Sequence, residues 1–185
     1  TSSLVGSDIC IRDSYHIMDG AKAFRQDPHT VSLNNFLPAG MISRPAIVSL
    51  MTGIFDAKLE LNEREDFWHG TLATTLPNQL RKLGYRSIYW YGGNPTYGNF
   101  DKFGPAVGFD KVMGATEFCP PDSPKTWVGV YDHIFLQHAA ELIQEMDDDT
   151  PTFHYIYTTS NHGPYKMPLK KLGFDADAVL KDLPE

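Results

Sequence analysis

The sequence lacks the features that define several large protein classes. Only two of its 185 residues are cysteines, Cys10 and Cys119, and neither lies in a CxxC motif or a Cys/His cluster, which argues against a structural zinc site. Two thiols so far apart leave two alternatives open, one disulfide in an exported protein or two reduced thiols in a cytosolic one. Nucleotide-binding GxGxxG and GK[ST] motifs are also absent.

Positive charge is scarce and dispersed. Lysine and arginine total 16 against 23 acidic residues, a net charge of −7. Because nucleic-acid binding needs a basic face, no nucleic-acid partner is expected, whereas one local pocket can still take an anionic substrate. No apolar run approaches the roughly 20 residues of a membrane helix, and no signal peptide opens the chain. The first residue is Thr1, and the chain ends in a segment that resembles the start of a helix. We therefore expect a piece of a longer protein.

The remaining sequence alternates helical and extended patterns. The predicted helices are 17–26, 43–52, 76–83 and 130–146, and the predicted strands are 30–38, 85–91 and 152–159. Segments 55–70 and 92–130 read as loop or irregular structure. The alternation is typical of an α/β fold and predicts that the last two strands are parallel.

Polar turns follow both of those strands. Gly92-Gly93-Asn94 comes after strand 85–91, and Ser160-Asn161-His162 comes after strand 152–159. Ligands of α/β sheets bind beyond the carboxyl ends of the strands. These turns, together with the helix start at Ser43, therefore predict one binding edge.

Each turn has a functional and a structural interpretation. The imidazole of His162 can donate a hydrogen bond to a phosphate or sulfate oxygen, and Asn161 can add a second donor. The alternative is an ordinary turn histidine, since Asn, Gly and Pro all favour turns. The glycines before Asn94, Gly93 among them, allow backbone N–H groups to approach an anion, or simply form a flexible loop.

The segment "PAGMISRPAIVSLMTGI" places a hydroxyl at the start of a helix. The helix dipole and unpaired N–H groups there favour anions. Ser43 is therefore a candidate nucleophile, and Arg44 a candidate phosphate clamp. The alternative is that Ser43 only caps the helix.

Three segments in this order resemble one family. They are similar to the sulfatase-type domains of lipoteichoic acid synthases and related phosphoglycerol or phosphoethanolamine transferases. The three segments are "SRPAIVSLMTGI", "LRKLGY" with the following "GG…NFDKF…GFD", and "TTSNHGPY". These belong to the alkaline phosphatase superfamily. The resemblance is strongest over residues 30–168 and identifies 1–185 as one sulfatase-like domain or part of one.

The resemblance implies a mixed, mostly parallel sheet sandwiched by helices, here incomplete. It implies a phosphoryl or sulfuryl transferase or hydrolase that acts on a phospholipid headgroup or an anionic glycan ester. The parent protein would be membrane-anchored, would face the periplasm or exterior, and would use a divalent metal (Mn, Zn, Mg or Ca). His162 would contact the phosphate or sulfate of the substrate, and Asn99 with loop 92–100 would form the headgroup pocket.

The sequence also departs from the family pattern. Counting back to the family's nucleophile leads to Gly40, which has no side chain, and Gly93, Gly98 and Phe100 replace charged and aromatic pocket residues. The acidic residue and the Asp-His pair that bind metal in the family have no counterpart, so no metal site is predicted in this chain. These departures favour an alternative function, a non-catalytic anion- or glycan-binding module on the same fold.

Overall fold

The computed structural model describes residues 19–31, 39–40, 42–55, 57–70, 72–146, 149–163, 169–173, 175, 177 and 181. The chain divides into two compact units, Thr1–Leu37 with Pro168–Glu185 and Pro38–Met167. In the first unit, helix α1 (Asp19–Gln26) and a 3₁₀ turn (Leu169–Leu172) are described. Most of the strand expected over 30–38 lies outside the described residues.

The second unit carries the sheet. Its elements are α2 (Ser43–Thr52), a 3₁₀ turn (Leu61–Glu63), α3 (Glu65–Trp68), α4 (Leu76–Lys82), β1 (Arg86–Tyr91), a 3₁₀ turn (Tyr97–Asn99), α5 (Phe100–Ala106), β2 (Lys111–Gly114), α6 (Ala115–Phe118), α7 (Asp132–Gln144) and β3 (Thr152–Tyr157). The strands lie in the order β2-β1-β3 and are parallel. Because Tyr91 pairs with both Gly114 and Tyr157, all three strands end at one edge, called here the carboxyl edge.

Side-chain alternation along β1 builds a core on each face of the sheet. Tyr89 and Tyr91 are buried on the face covered by α2 and α5. Ile88 and Trp90 point to the opposite face and pack with residues of α6 and α7. A central strand covered on both faces is typical of parallel sheets. The predicted α/β fold, with helices on both sides of a parallel sheet, is confirmed.

Two segments expected as loop contain regular elements. Residues 55–70 hold the 3₁₀ turn 61–63 and α3, and residues 92–130 hold α5, β2 and α6. The prediction was wrong in these segments because β2 has only four residues, too few to show a period, and α5 contains Gly104 and Pro105. Gly104 lets α5 approach β2 closely, since a Cβ there would lie 2.4 Å from Cγ2 of Val112.

Candidate anion-binding site at the carboxyl edge

Helix α2 starts differently from the sequence prediction. Its N-cap is Ile42 in an extended conformation, without a side-chain cap, so Ser43 is the exposed first helical residue and does not cap the helix. The N–H of Ala46 already donates to the carbonyl of Ile42, and Pro45 has no N–H. The N–H groups of Ser43 and Arg44 are therefore the ones that have no intrahelical acceptor at this end.

Gly40, the position reached by counting back to the family's nucleophile, is a packing position. A Cβ there would lie 2.3 Å from the backbone nitrogen of Ala46 and 2.6 Å from the carbonyl carbon of Pro45. Real Cβ atoms do not approach backbone this closely, so the backbone of residue 40 packs directly on the first turn of α2. A nucleophilic side chain at this position is incompatible with the observed backbone.

The guanidinium of Arg44 is held by an acidic partner that the sequence reasoning missed. Its Nη1 donates to Oε1 of Glu63 over 2.7 Å, and its Cζ lies 5.9 Å from the ring centroid of Tyr97, within the range of a cation–π contact. Nδ2 of Asn99 donates to the other oxygen of Glu63 over 2.8 Å. The structure thus brings the predicted residues Arg44 and Asn99 together around one carboxylate.

A buried amide completes this cluster. Nδ2 of Asn62, whose side chain is almost fully buried, lies 3.2 Å from Oε1 of Glu63 and 2.9 Å from the carbonyl oxygen of Gly98. No sequence signal singled out Asn62 or Glu63, because both stand in a charged segment without periodicity. We call Arg44, Asn62, Glu63 and Asn99 the Glu63 cluster.

The backbone of turn 97–99 is shaped for this contact. Asn99 has a φ of +55° and Gly98 a φ of +72°, and asparagine and glycine are the residues that adopt this left-handed region most readily. A Cβ at Gly98 would lie 3.0 Å from Cδ of Arg44. Glycine at this position therefore gives room to the arginine side chain.

The Glu63 cluster lies at the end of β1. Tyr91, the last residue of β1, stacks on Tyr157 at the end of β3, with a distance of 5.0 Å between ring centroids. Burial, with smaller contributions from Tyr157 and Tyr97, raises the pKa of the Tyr91 hydroxyl well above its ordinary value, and the nearby charge of Arg44 opposes this rise. Tyr91 is therefore a neutral phenol at physiological pH, within the electrostatic influence of Arg44.

The turn after β3 carries the predicted residues Asn161 and His162. His162 and Asn161 are both exposed. Nδ1 of His162 lies 2.7 Å from the carbonyl oxygen of Gly163, and because a carbonyl only accepts, Nδ1 carries the proton. The ring of His162 meets Trp127 edge-to-face at 5.0 Å. With Nδ1 occupied, a ligand of this ring would have to contact Nε2, which donates a hydrogen bond only in the imidazolium form.

Reciprocal hydrogen bonds tie this turn to the start of α7. Oδ1 of Asp132 accepts from the N–H groups of Thr159 (2.8 Å) and Ser160 (2.9 Å). Oγ of Ser160 in turn accepts from the N–H of Asp132 at 2.8 Å. The backbone that leads to His162 is therefore anchored, although the imidazole itself is exposed.

The loop after β1 connects the His162 turn with the Glu63 cluster. Its own polar groups form hydrogen bonds within the protein. The N–H of Gly92 donates to the carbonyl of Tyr157, and Gly93 forms an antiparallel bridge with Gly129. Oδ1 of Asn94 accepts from both the N–H and the hydroxyl of Thr96. Loop 92–99 thus runs from the neighbourhood of the His162 turn to the Glu63 cluster, and the Gly92 amide is engaged with the sheet rather than directed at a ligand.

The described residues do not fit a divalent metal. Within them, no group of three or more His, Cys, Asp or Glu side chains is arranged to hold a metal ion. The one carboxylate of the cluster, Glu63, already accepts hydrogen bonds through both oxygens.

Ligands of α/β sheets bind beyond the carboxyl ends of the strands, and the structure presents arginine, asparagine and histidine side chains there. The Sulfatase family model matches residues 12–174, which is most of the chain. The chain belongs to the sulfatase family, and the resemblance seen in the sequence is confirmed.

Two solved structures are similar to this chain. A protein in the alkaline phosphatase superfamily from Vibrio parahaemolyticus shares 27% identity with a TM-score of 0.57, over 66% of this chain and 30% of its own. The lipoteichoic acid synthase LtaP from Listeria monocytogenes shares 22% identity with a TM-score of 0.58, over 83% of this chain and 35% of its own. The chain therefore spans about a third of the length of either protein. Among the residues described, none of the helices combines the length and the apolar character that crossing a bilayer requires.

Proposed function

We propose that the carboxyl edge binds the phosphate or sulfate group of an anionic ester, and that the protein is a sulfatase-family phosphoryl or sulfuryl transferase or hydrolase. The observation that carries the proposal is the convergence of Arg44 and Asn99, from distant parts of the sequence, on Glu63 at the end of β1. The substrate class is a phospholipid headgroup or an anionic glycan ester. A membrane-anchored parent facing the periplasm or exterior, with 1–185 as part of one domain, belongs to the same proposal and rests on the family resemblance.

The residues take distinct roles. Arg44 supplies the positive charge that binds the ester oxygens, Asn99 and Asn161 supply amide donors, and Nε2 of protonated His162 adds a further donor. The exposed rings of Tyr97 and Trp127 offer flat faces on which a sugar or glycerol packs. Gly93 and Asn94 shape the loop between the two groups. Sulfatase-family members generally use divalent metals, and we expect the ligands of such a metal outside the described residues.

Binding can be measured directly. Calorimetric titration at low ionic strength with inorganic phosphate, sulfate and sn-glycerol 1-phosphate should give measurable affinity, and Arg44→Gln should weaken it by about tenfold because a charged donor is lost. The matched control is Lys82→Gln, which removes the same charge from the exposed end of α4. Equal effects of the two substitutions would contradict the proposed site. Preference for glycerol phosphate over phosphate would favour the lipid-headgroup source.

In the catalytic form of the proposal, Ser43 is the nucleophile. Its Oγ forms a bond to the phosphorus or sulfur as the ester bond to the leaving alcohol breaks, and the proton lost by Ser43 is balanced by the proton that the alcohol gains. Water or a second alcohol then breaks the bond to Oγ. The exposed position of Ser43 at the first turn of α2, beside Arg44, supports this role.

The non-catalytic module remains the second candidate function. It is favoured by the packing at Gly40, which excludes a side chain, and by the apolar Ile42 at the N-cap of α2. In this form the same edge recognises the anion without bond cleavage.

Trapping separates the two functions. The full-length parent protein, which is expected to supply the metal ligands, is incubated with a ³²P-labelled glycerophospholipid, with and without added divalent cations, quenched in acid and mapped by peptide. The catalytic form predicts label on Ser43 and none in Ser43→Ala. Label on another residue removes the assignment to Ser43, and phosphate-ester binding without label in either protein supports the binding module.

A further inference from the structure

The Glu63 cluster has the composition of an oxyanion receptor. Its donors come from three segments, the guanidinium of Arg44 on α2, the amide of Asn62 on turn 61–63 and the amide of Asn99 on turn 97–99. A guanidinium with two amides is a donor set that suits a carboxylate, phosphate or sulfate equally well. In this structure the oxyanion between them is the protein's own Glu63.

The donors of the Glu63 cluster are held in position by the surrounding structure. Asn62 is 4% exposed, and it also donates to the carbonyl of Gly98. Asn99 adopts a left-handed conformation and Gly98 leaves room for Arg44. Each of these features fixes a donor in place, and they leave the Glu63 carboxylate at the centre.

Glu63 and its charged partner Arg44 are both partly open to solvent. The side chain of Glu63 is 39% exposed, and that of Arg44 is 42% exposed. Ion pairs at such exposure contribute little net stability, because water and salt screen them. A side chain on a surface turn can therefore leave the donors at small cost when a stronger anion arrives.

From this geometry we infer that Glu63 is an internal competitor that occupies the anion position of Arg44 and Asn99 and sets the affinity and selectivity of the site. The inference rests on the proposed anion site. A bare phosphate must displace the carboxylate and then lies beside its negative charge. An ester that also carries hydroxyl or ammonium groups gives the displaced carboxylate a partner, so the site favours headgroup-like esters over inorganic anions.

The test compares Glu63→Gln with the wild-type protein in calorimetric titrations with inorganic phosphate and with sn-glycerol 1-phosphate. Removing the competing charge should tighten phosphate binding by about three- to tenfold and should reduce the preference for glycerol phosphate. The control is Glu65→Gln, which removes the same charge two residues away at the exposed start of α3; its effect should stay below about twofold, as expected for a screened charge. The double variant Glu63→Gln/Arg44→Gln should lose the gain.

The outcomes separate this inference from the proposed function. If wild-type binding depends on Arg44 but Glu63→Gln binds phosphate no more tightly than Glu65→Gln, Glu63 is a structural residue and the inference is overturned while the site stands. If neither the wild-type protein nor Glu63→Gln binds phosphate in an Arg44-dependent way, the proposed site itself is wrong. Circular dichroism of each variant verifies that the fold is retained.

Discussion

At the scale of single residues, two glycines allow neighbouring parts of the candidate site to pack closely. Gly98 stands where a side chain would meet the Arg44 stem, and Gly40 stands where a side chain would meet the backbone of Pro45 and Ala46. From the sequence alone, a glycine at either position indicates that a functional side chain of the family is absent. In the structure each has a packing reason, so an absent side chain at these positions is part of how the site is assembled.

Gly40→Ala tests this packing. We expect it to lower the free energy of unfolding by about 1–3 kcal/mol, the usual cost of overpacking against immobile atoms. Gly70→Ala is the matched control, because a Cβ at Gly70 has 3.5 Å to its nearest neighbour and meets no crowding. Urea unfolding of both variants gives the comparison, and equal stabilities would show that residue 40 has room for a side chain.

At the scale of elements, length alone did not decide which were predictable, since the six-residue strands β1 and β3 were found and the seven-residue helix α5 was missed. Helices α2, α4 and α7 and strands β1 and β3 were found because caps, glycine stops and periodicity mark them. Strand β2 was missed because its position depends on pairing with β1, a contact that local sequence does not encode.

The residues of the candidate site likewise divide into those that the sequence could predict and those that it could not. Asn161 and His162 could be proposed from the turn after β3, Arg44 from the helix start at Ser43, and Asn99 from the family resemblance. Glu63 could not, because its importance arises only from the approach of turn 61–63 to turn 97–99. The N-cap of α2 was placed one residue too late, since Ser43 suits a cap chemically while the backbone assigns that position to Ile42.

At the scale of the whole molecule, the sheet organises the candidate site. Parallel pairing places the ends of β1 and β3 together, so loop 92–99 and turn 159–162 leave the sheet on the same side. The opposite edge provides an internal reference. There, Arg81 is paired with Asp110, and Asp110 also accepts from the N–H of Ser87 near the start of β1.

The central claim is that one edge of this sheet binds the anion. It is tested most directly by following backbone amide and arginine side-chain NMR resonances during titration with sn-glycerol 1-phosphate at low ionic strength. The account predicts saturable shifts at Arg44, Asn99 and His162, with one shared dissociation constant and no comparable shift at Arg81 or Lys82. Shifts that follow exposed positive charge on both edges alike, or that leave Arg44 unchanged at saturation, would contradict it.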